Sequence, residues 1–313
     1  MRRALIVAGP TCSGKSALAL ALAERLGGTV INADSMQVFR ELRIVTARPS
    51  PADEARVAHR LYGVRPAAEA GGVAWWRQAA LAAMDEVPGL PILCGGTGLY
   101  LSALTEGLAD IPEPSAAARA EARALLEDEG AAAMHARLAT QDPVTAARLR
   151  PTDGQRIARA WEVWRSTGRG LADWQAQKPA PSGWRYTAVM LDPPRAELRA
   201  AIAARFASML ELGAVAEIRA LLKLGLDPSL PAMRAQGVPE LAAHLRGDMT
   251  LDAAAARAVL ASGQYTKRQA TWFRHRTFAG QSRTRWIHAR FTENTQFSER
   301  EWDELVSFIR DGG

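Results

Sequence analysis

The opening of the chain reads Ala4-Leu5-Ile6-Val7-Ala8, Gly9-Pro10-Thr11-Cys12-Ser13-Gly14-Lys15-Ser16, an Ala/Leu-rich run to Leu26, Gly27-Gly28, and Thr29-Val30-Ile31-Asn32-Ala33-Asp34. Five small and apolar residues running into glycine predict a short buried strand. Ser16 to Leu26 has no breaker and predicts a helix, which Gly27-Gly28 stops, and Thr29 to Ala33 resumes extended apolar character. Strand, loop, helix, strand is the start of a βαβ unit. Gly9 to Ser16 also matches G-x-x-x-x-G-K-[ST], placed after a strand and before a helix as its mechanism requires. There, backbone N–H groups and a helix N-terminus make a concave site for phosphate oxygens. Lys15 adds a point charge, and the Ser16 hydroxyl is a candidate Mg²⁺ ligand.

Outward from this unit, Leu90 to Cys94 runs into Gly95-Gly96, and Thr187 to Leu191 runs into Asp192-Pro193-Pro194, so both predict central strands. Arg285 to Ala289 is a candidate fifth strand, and Ser298 to Ile309 an amphipathic helix. Short apolar strands separated by helical stretches imply a parallel sheet covered by helices. Between the third and fourth strands lie about ninety residues without a strand pattern, far more than a crossover helix needs. Ile111-Pro112-Glu113-Pro114 opens this stretch, Ala-rich helical segments follow through Leu126, Leu138 and Leu149, Trp161 to Arg165 continues the pattern, and Lys178 to Gly183 marks the return. The expected organisation is a core domain of residues 1–109 and 183–313, with residues 110–182 as an inserted helical subdomain.

The composition, 48% hydrophobic with 39 Lys and Arg against 33 Asp and Glu, excludes a disordered chain, and 2 Cys exclude a disulfide scaffold. From Ala253 to Thr292 there is no acidic residue, but eight basic ones: Arg257, Lys267, Arg268, Arg274, Arg276, Arg283, Arg285 and Arg290. They exceed the +6 of the whole chain, leaving the remainder at a net −2. A polyanion such as nucleic acid, an anionic membrane surface and a solvated helix face all suit such a segment. No run of eighteen apolar residues occurs, so no spanning helix is expected. The apolar stretch after Arg3 is too short for a secretion signal. Two distant cysteines near apolar runs fit a reducing cytoplasm.

A phosphate loop does not identify a reaction, because many chemistries share it. The second strand ends at Asp34, which in an open parallel sheet points into the crevice at the carboxyl ends, beside the loop. Asp192 is the competing carboxylate, readable as a Mg²⁺-associated acid or as a helix N-cap before its two prolines. Gly95-Gly96-Thr97-Gly98 closes the third strand without an acid. Gln155 and Arg159 share a helical face, suited to phosphate, base or salt-bridge contact. Gln264, Lys267, Thr271 and Arg274 share another, while Trp272 and Phe273 anchor elsewhere, with packing the first reading of Trp272. His59, His135, His244, His275 and His288 have no metal-ligand spacing, and the cysteines add none.

In order, Gly9 to Ser16, Asp34-Ser35-Met36-Gln37-Val38-Phe39-Arg40, Gly95-Gly96-Thr97-Gly98-Leu99-Tyr100, Gln155-Arg156-Ile157-Ala158-Arg159 and Lys267-Arg268-Gln269-Ala270-Thr271-Trp272-Phe273-Arg274 resemble the tRNA dimethylallyltransferase (tRNA isopentenyltransferase) family. The resemblance implies a P-loop NTPase-like α/β fold and transfer of a dimethylallyl group from dimethylallyl diphosphate to N6 of the adenosine 3′ of the anticodon. The acceptors it implies are tRNAs reading codons that begin with U, and the cofactor is Mg²⁺. It implies that the diphosphate sits on Gly9, Pro10, Thr11, Cys12, Ser13, Gly14, Lys15 and Ser16, with Arg205 as a second cation. Asp34 would be the base and Thr97 would lie in the reaction channel. Against the anticodon stem-loop it places Asp34, Ser35, Met36, Gln37, Thr97, Arg119, Gln155 to Arg159 and Lys267 to Arg274. A cytoplasmic monomer is expected. The chain departs from the family pattern at Arg234-Ala235-Gln236-Gly237-Val238-Pro239, at Phe39, and at Trp75-Trp76, for which packing is the default reading. The competing readings are a P-loop kinase or other ATP-dependent RNA-binding enzyme, motivated by Asp192, and a non-catalytic RNA-binding module, motivated by the basic segment.

Overall fold

The computed structural model describes residues 2–177, 181–292 and 297–312. These divide into two compact units, one of residues 1–105 and 182–313 and one of residues 106–181. Of the return segment expected at Lys178 to Gly183, residues 178–180 lie outside the described residues.

The larger unit begins β1 (Arg3–Ala8), α1 (Lys15–Leu26), β2 (Gly28–Asn32), α2 (Pro51–Arg56), β3 (His59–Arg60), α3 (Val73–Glu86), β4 (Leu90–Gly95) and α4 (Gly98–Thr105). The smaller unit holds α5 (Ala116–Asp128), α6 (Gly130–Gln141), α7 (Pro143–Ala146), α8 (Gly154–Thr167) and α9 (Leu171–Ala176). The larger unit resumes with β5 (Arg185–Leu191), α10 (Arg195–Glu211), α11 (Ala214–Leu222), α12 (Val238–Arg246), α13 (Leu251–Arg274), β6 (Thr284–Ile287) and α14 (Glu299–Asp311).

Six strands form one parallel sheet in the order β3-β2-β4-β1-β5-β6. β1 is central because its residues alternate between two cores. Leu5 and Val7 pack with Leu18 and Leu22 of α1 and Trp302 and Leu305 of α14. Ala4, Ile6 and Ala8 belong to the opposite core, with Trp76, Phe206 and Phe273. A strand buried on both faces reads as an unbroken apolar run, which is why Ala4 to Ala8 was legible. The sixth strand, β3, has only two residues at an edge and no apolar run, so periodicity does not reveal it. Leu149 is not helical: α7 ends at Ala146, and Pro143 and Pro151 confine the turn to one short piece. Among the described residues no helix is long and apolar enough to cross a membrane.

The chain leaves β1 toward β2 on one side, and β5 lies on the other. At this switch in strand order a crevice opens at the carboxyl ends, where open α/β sheets bind ligands. Gly95, which ends β4, sets its width: a Cβ there would stand 2.1 Å from the carbonyl carbon and oxygen of Ala33. Gly95→Ala is expected to cost about 3 kcal/mol or more, the upper range for overpacking against backbone that does not yield. A urea denaturation midpoint equal to that of the unaltered protein would contradict this.

Candidate active site

Between β1 and α1 the chain adopts left-handed conformations at Cys12 (φ 66°) and Gly14 (φ 89°). Gly14 is also the N-cap of α1, with no side-chain cap, so the first amides of the helix have no partner of their own. The loop carbonyls are occupied instead. Pro10 O accepts from the Ser13 amide (3.2 Å), Cys12 O from Arg290 Nε (3.0 Å) and Ser13 O from the Phe291 amide (3.0 Å). A Cβ on Gly14 would stand 1.8 Å from Phe291 O, so only glycine admits the segment after β6 across the loop. With these carbonyls tied away, the loop amides other than those of Thr11 and Ser13, together with Lys15, whose Nζ lies 3.5 Å from Pro10 O, face an anion-sized space. Burial pushes the Cys94 thiol beneath them up to about 11, so it is a neutral packing group there.

The loop opens into a cavity of about 1010 Å³, lined among others by Lys15, Ser16, Glu197, Arg205 and Arg290. α10 presents Ala200, Ala201 and Ala204 to it, so part of the alanine bias of the sequence serves to leave room for a ligand. A second pocket of about 160 Å³ holds Asp34, Thr11, Arg234, Gln236 and Tyr265. Arg205 lines both spaces.

Asp34 is held by a connected set of bonds. Trp76, fully buried and stacked on Tyr100 with ring centroids 4.3 Å apart, donates Nε1–H to Asn32 O (2.8 Å). Asn32 Oδ1 accepts the Asp34 amide (2.8 Å), and Asn32 Nδ2 donates to Asp34 O (3.0 Å). Asp34 Oδ1 accepts the Met36 amide (2.9 Å), an Asx turn that leaves Oδ2 without a partner among the described residues. Thr97 Oγ1 accepts the Ser35 amide (2.9 Å), and the Thr97 amide donates to Ala33 O (3.2 Å). Thr97 thus shapes the loop that carries Asp34. Burial, and then the negative charge of Asp34, push the Tyr265 hydroxyl up to about 12, so it is a proton-bearing donor at neutral pH.

Several residues expected at the nucleic-acid surface are placed elsewhere. Gln269 is buried: its Oε1 accepts Thr11 N–H (2.8 Å) and the Thr11 hydroxyl (3.0 Å), and its Nε2 donates to Gly96 O (2.9 Å). It ties α13 to the phosphate loop and to the end of β4. Phe273 is core, and Trp272, half-buried, packs on Gly98 and Phe278 with the Arg276 guanidinium 5.5 Å from its ring centroid. Ile157 is fully buried in the core of the smaller unit with Met134 and Leu138, and Ala158 packs on it. Both Gln37 amide hydrogens go to carbonyls, Thr46 O (2.8 Å) and Ala47 O (3.0 Å). Lys267, Arg268, Thr271, Gln155 and Arg156 are exposed and Arg159 half-buried. Arg119 is exposed beside Glu113 at 2.6 Å. Asp192 fits neither reading considered for it. Pro194 is the cap residue of α10, and both Asp192 oxygens are taken by Arg274, at 2.8 Å (Nε) and 2.9 Å (Nη2). Arg290, Tyr265 and Gln236 carried no sequence signal of their own. Their sole marker was membership of the basic segment or of the departing Arg234 to Pro239 stretch.

A glycine-rich loop of P-loop type at the switch point of a parallel sheet, joined through one arginine to a pocket with a single carboxylate, defines a P-loop NTPase-like α/β protein. The family model for IPP transferase matches residues 37–276. A tRNA dimethylallyltransferase of Granulibacter bethesdensis is 61% identical over 313 residues, covering 99% of this chain and 98% of its own. One from Gluconacetobacter diazotrophicus is 60% identical, covering 98% and 94%. A solved tRNA isopentenylpyrophosphate transferase of Bacillus halodurans aligns over 100% of this chain and 97% of its own, with 29% identity and a TM-score of 0.68. A eukaryotic dimethylallyltransferase solved acting on tRNA shares the fold at a TM-score of 0.73 and 24% identity, covering 87% and 70%. The chain belongs to the IPP transferase family, the tRNA dimethylallyltransferases.

Gln269→Leu would leave the Thr11 amide and the Gly96 carbonyl without partners, at about 1–3 kcal/mol for each buried group. The expected result is a lower urea midpoint together with weaker pyrophosphate binding. Loss of RNA affinity with both of these unchanged would return Gln269 to the RNA surface.

Proposed function

We propose that the chain transfers a dimethylallyl group from dimethylallyl diphosphate to N6 of the adenosine 3′-adjacent to the anticodon. The tRNAs would be those reading codons that begin with U, the product N6-dimethylallyladenosine, and the setting the cytoplasm. The observation that carries this reading is the shared arginine: Arg205 borders both the phosphate-loop cavity and the Asp34 pocket. An allylic diphosphate seated on the loop would direct its reactive carbon toward the carboxylate.

In this reading the loop amides, Lys15, Arg205 and Arg290 bind the diphosphate and stabilise the charge it gains as its C1–O bond breaks. The N6 lone pair forms the new bond to C1, and the N6 proton passes to the free Oδ2 of Asp34. The bonds from Asn32 and the Met36 amide aim that carboxylate, and Thr97 supports its loop. Tyr265 and Gln236 line the acceptor side, where the adenosine enters after leaving the stacked loop. The residues present suit Mg²⁺. Ser16 supplies one hydroxyl at the cavity, and among the described residues no cluster of three His, Cys, Asp or Glu forms a protein cage. That donor set matches a cation that keeps waters and takes substrate phosphates as its remaining ligands. Bound there, Mg²⁺ would neutralise charge on the departing diphosphate. For a kinase, Asp192 was the candidate acid, and its pairing with Arg274 occupies both oxygens.

Unmodified tRNA incubated with radiolabelled dimethylallyl diphosphate should acquire label, and ATP turnover without label would overturn the proposal. Asp34→Asn keeps the acceptor for the Met36 amide but removes the base. It should lower kcat by about 10²- to 10⁴-fold, the span of general-base catalysis, while tRNA still binds. An unchanged kcat would exclude Asp34 as the base.

A further inference from the structure

A cavity of about 150 Å³ lies between α10 and α13, apart from the two spaces described above. Arg195 and Arg199 border it from α10, Lys267 and Arg274 border it from α13, and Leu198 and Ile202 are part of its apolar lining. The spacing is that of two facing helical stripes, four residues apart on α10 and seven on α13. No carboxylate lines the space. The charge of Arg274 is cancelled by Asp192, whereas Arg195, Arg199 and Lys267 have no ionic partner among the described residues. Like charges at i and i+4 repel on a helix, and here three uncompensated cations border one concavity. The N-cap of α10, Pro194, offers no side-chain acceptor to the open amides, and Glu197, the acid of that first turn, borders the phosphate-loop cavity rather than this one.

We propose that this cavity is a second phosphate site, which takes a phosphodiester of the RNA strand carrying the acceptor adenosine. The inference rests on the reading of RNA as acceptor. A concavity of this size takes a single phosphate group with part of its ribose on the apolar lining, whereas a membrane surface would need a flat or protruding basic face. Its position also suits a strand reaching the Asp34 pocket. Arg199 and Arg195 precede Arg205 on the same helix by six and ten residues, or about 9 and 15 Å at 1.5 Å per residue. At roughly 3.4 Å per stacked nucleotide, the phosphate held lies about three or four nucleotides from the acceptor. The site acts with Lys267 to fix the strand's register, while the phosphate loop keeps the diphosphate.

The test compares the full chain with its Arg195→Gln/Arg199→Gln variant, both titrated with unmodified anticodon stem-loop RNA at several KCl concentrations. The slope of log K against log [KCl] should become shallower by about one for the phosphate lost. Arg195→Lys/Arg199→Lys, which keeps the charge, should restore most of it. A stem-loop with a single methylphosphonate at the gripped position should bind the unaltered protein more weakly and the double Gln variant no more weakly than unmodified RNA. An unchanged slope, or methylphosphonate effects equal in both proteins at every position, would overturn the second site. Prenyl transfer by the unaltered protein is scored separately. Transfer with an unchanged slope removes only this site, whereas no transfer removes the reading on which it rests.

Discussion

The site depends on the phosphate loop holding its amides toward one point. Left-handed conformations at Cys12 and Gly14 turn the backbone into that shape, and a loop of this kind does not hold it unaided. Its backbone is secured by residues more than 250 positions away: Gln269 accepts from the Thr11 amide, Arg290 donates to the Cys12 carbonyl and the Phe291 amide to the Ser13 carbonyl. The C-terminal third of the chain therefore helps to shape this loop, and Gly14 is required as much by the passing Phe291 backbone as by its own φ.

A second assembly of bonds places the carboxylate. Trp76 fixes the last carbonyl of β2, Asn32 folds its amide around Asp34, and Thr97 braces the next turn from the end of β4. The adjacent tryptophans thus acquire different roles. Trp76 belongs to the support of Asp34, while Trp75 is partly buried with the Arg65 guanidinium 4.3 Å over its ring. The two assemblies converge because β1, β2 and β4 are neighbours whose carboxyl ends open on one crevice, and Arg205 reaches it from α10.

α13 shows how one helix divides its work by angle. Gln269 and Phe273 face the sheet and the core, Tyr265 lines the pocket of Asp34, and Lys267, Thr271 and Arg274 border the cavity against α10. The Lys267 to Arg274 motif, placed by resemblance against nucleic acid, is divided around the helix between an inward face and a face on the cavity against α10. The basic segment likewise contains Arg274, whose charge is spent internally on Asp192, and Arg290, which serves the phosphate loop.

The sequence by itself determined the βαβ opening, the phosphate loop, the parallel helix-covered sheet, the position of Asp34 and the family. These follow from local rules: a strand buried on both faces must be apolar throughout, and a phosphate loop needs glycine and lysine at fixed offsets between a strand and a helix. Only the tertiary structure decided which polar residues of α13 turn inward, that Asp192 pairs with Arg274, that Ile157 is core, and that Arg290, Tyr265 and Gln236 face the site. A glutamine donating to a carbonyl 173 positions away leaves no periodic trace in its own segment. The choice between solvent and partner is made by what the fold packs against each face, and that information is carried by the other strands and helices.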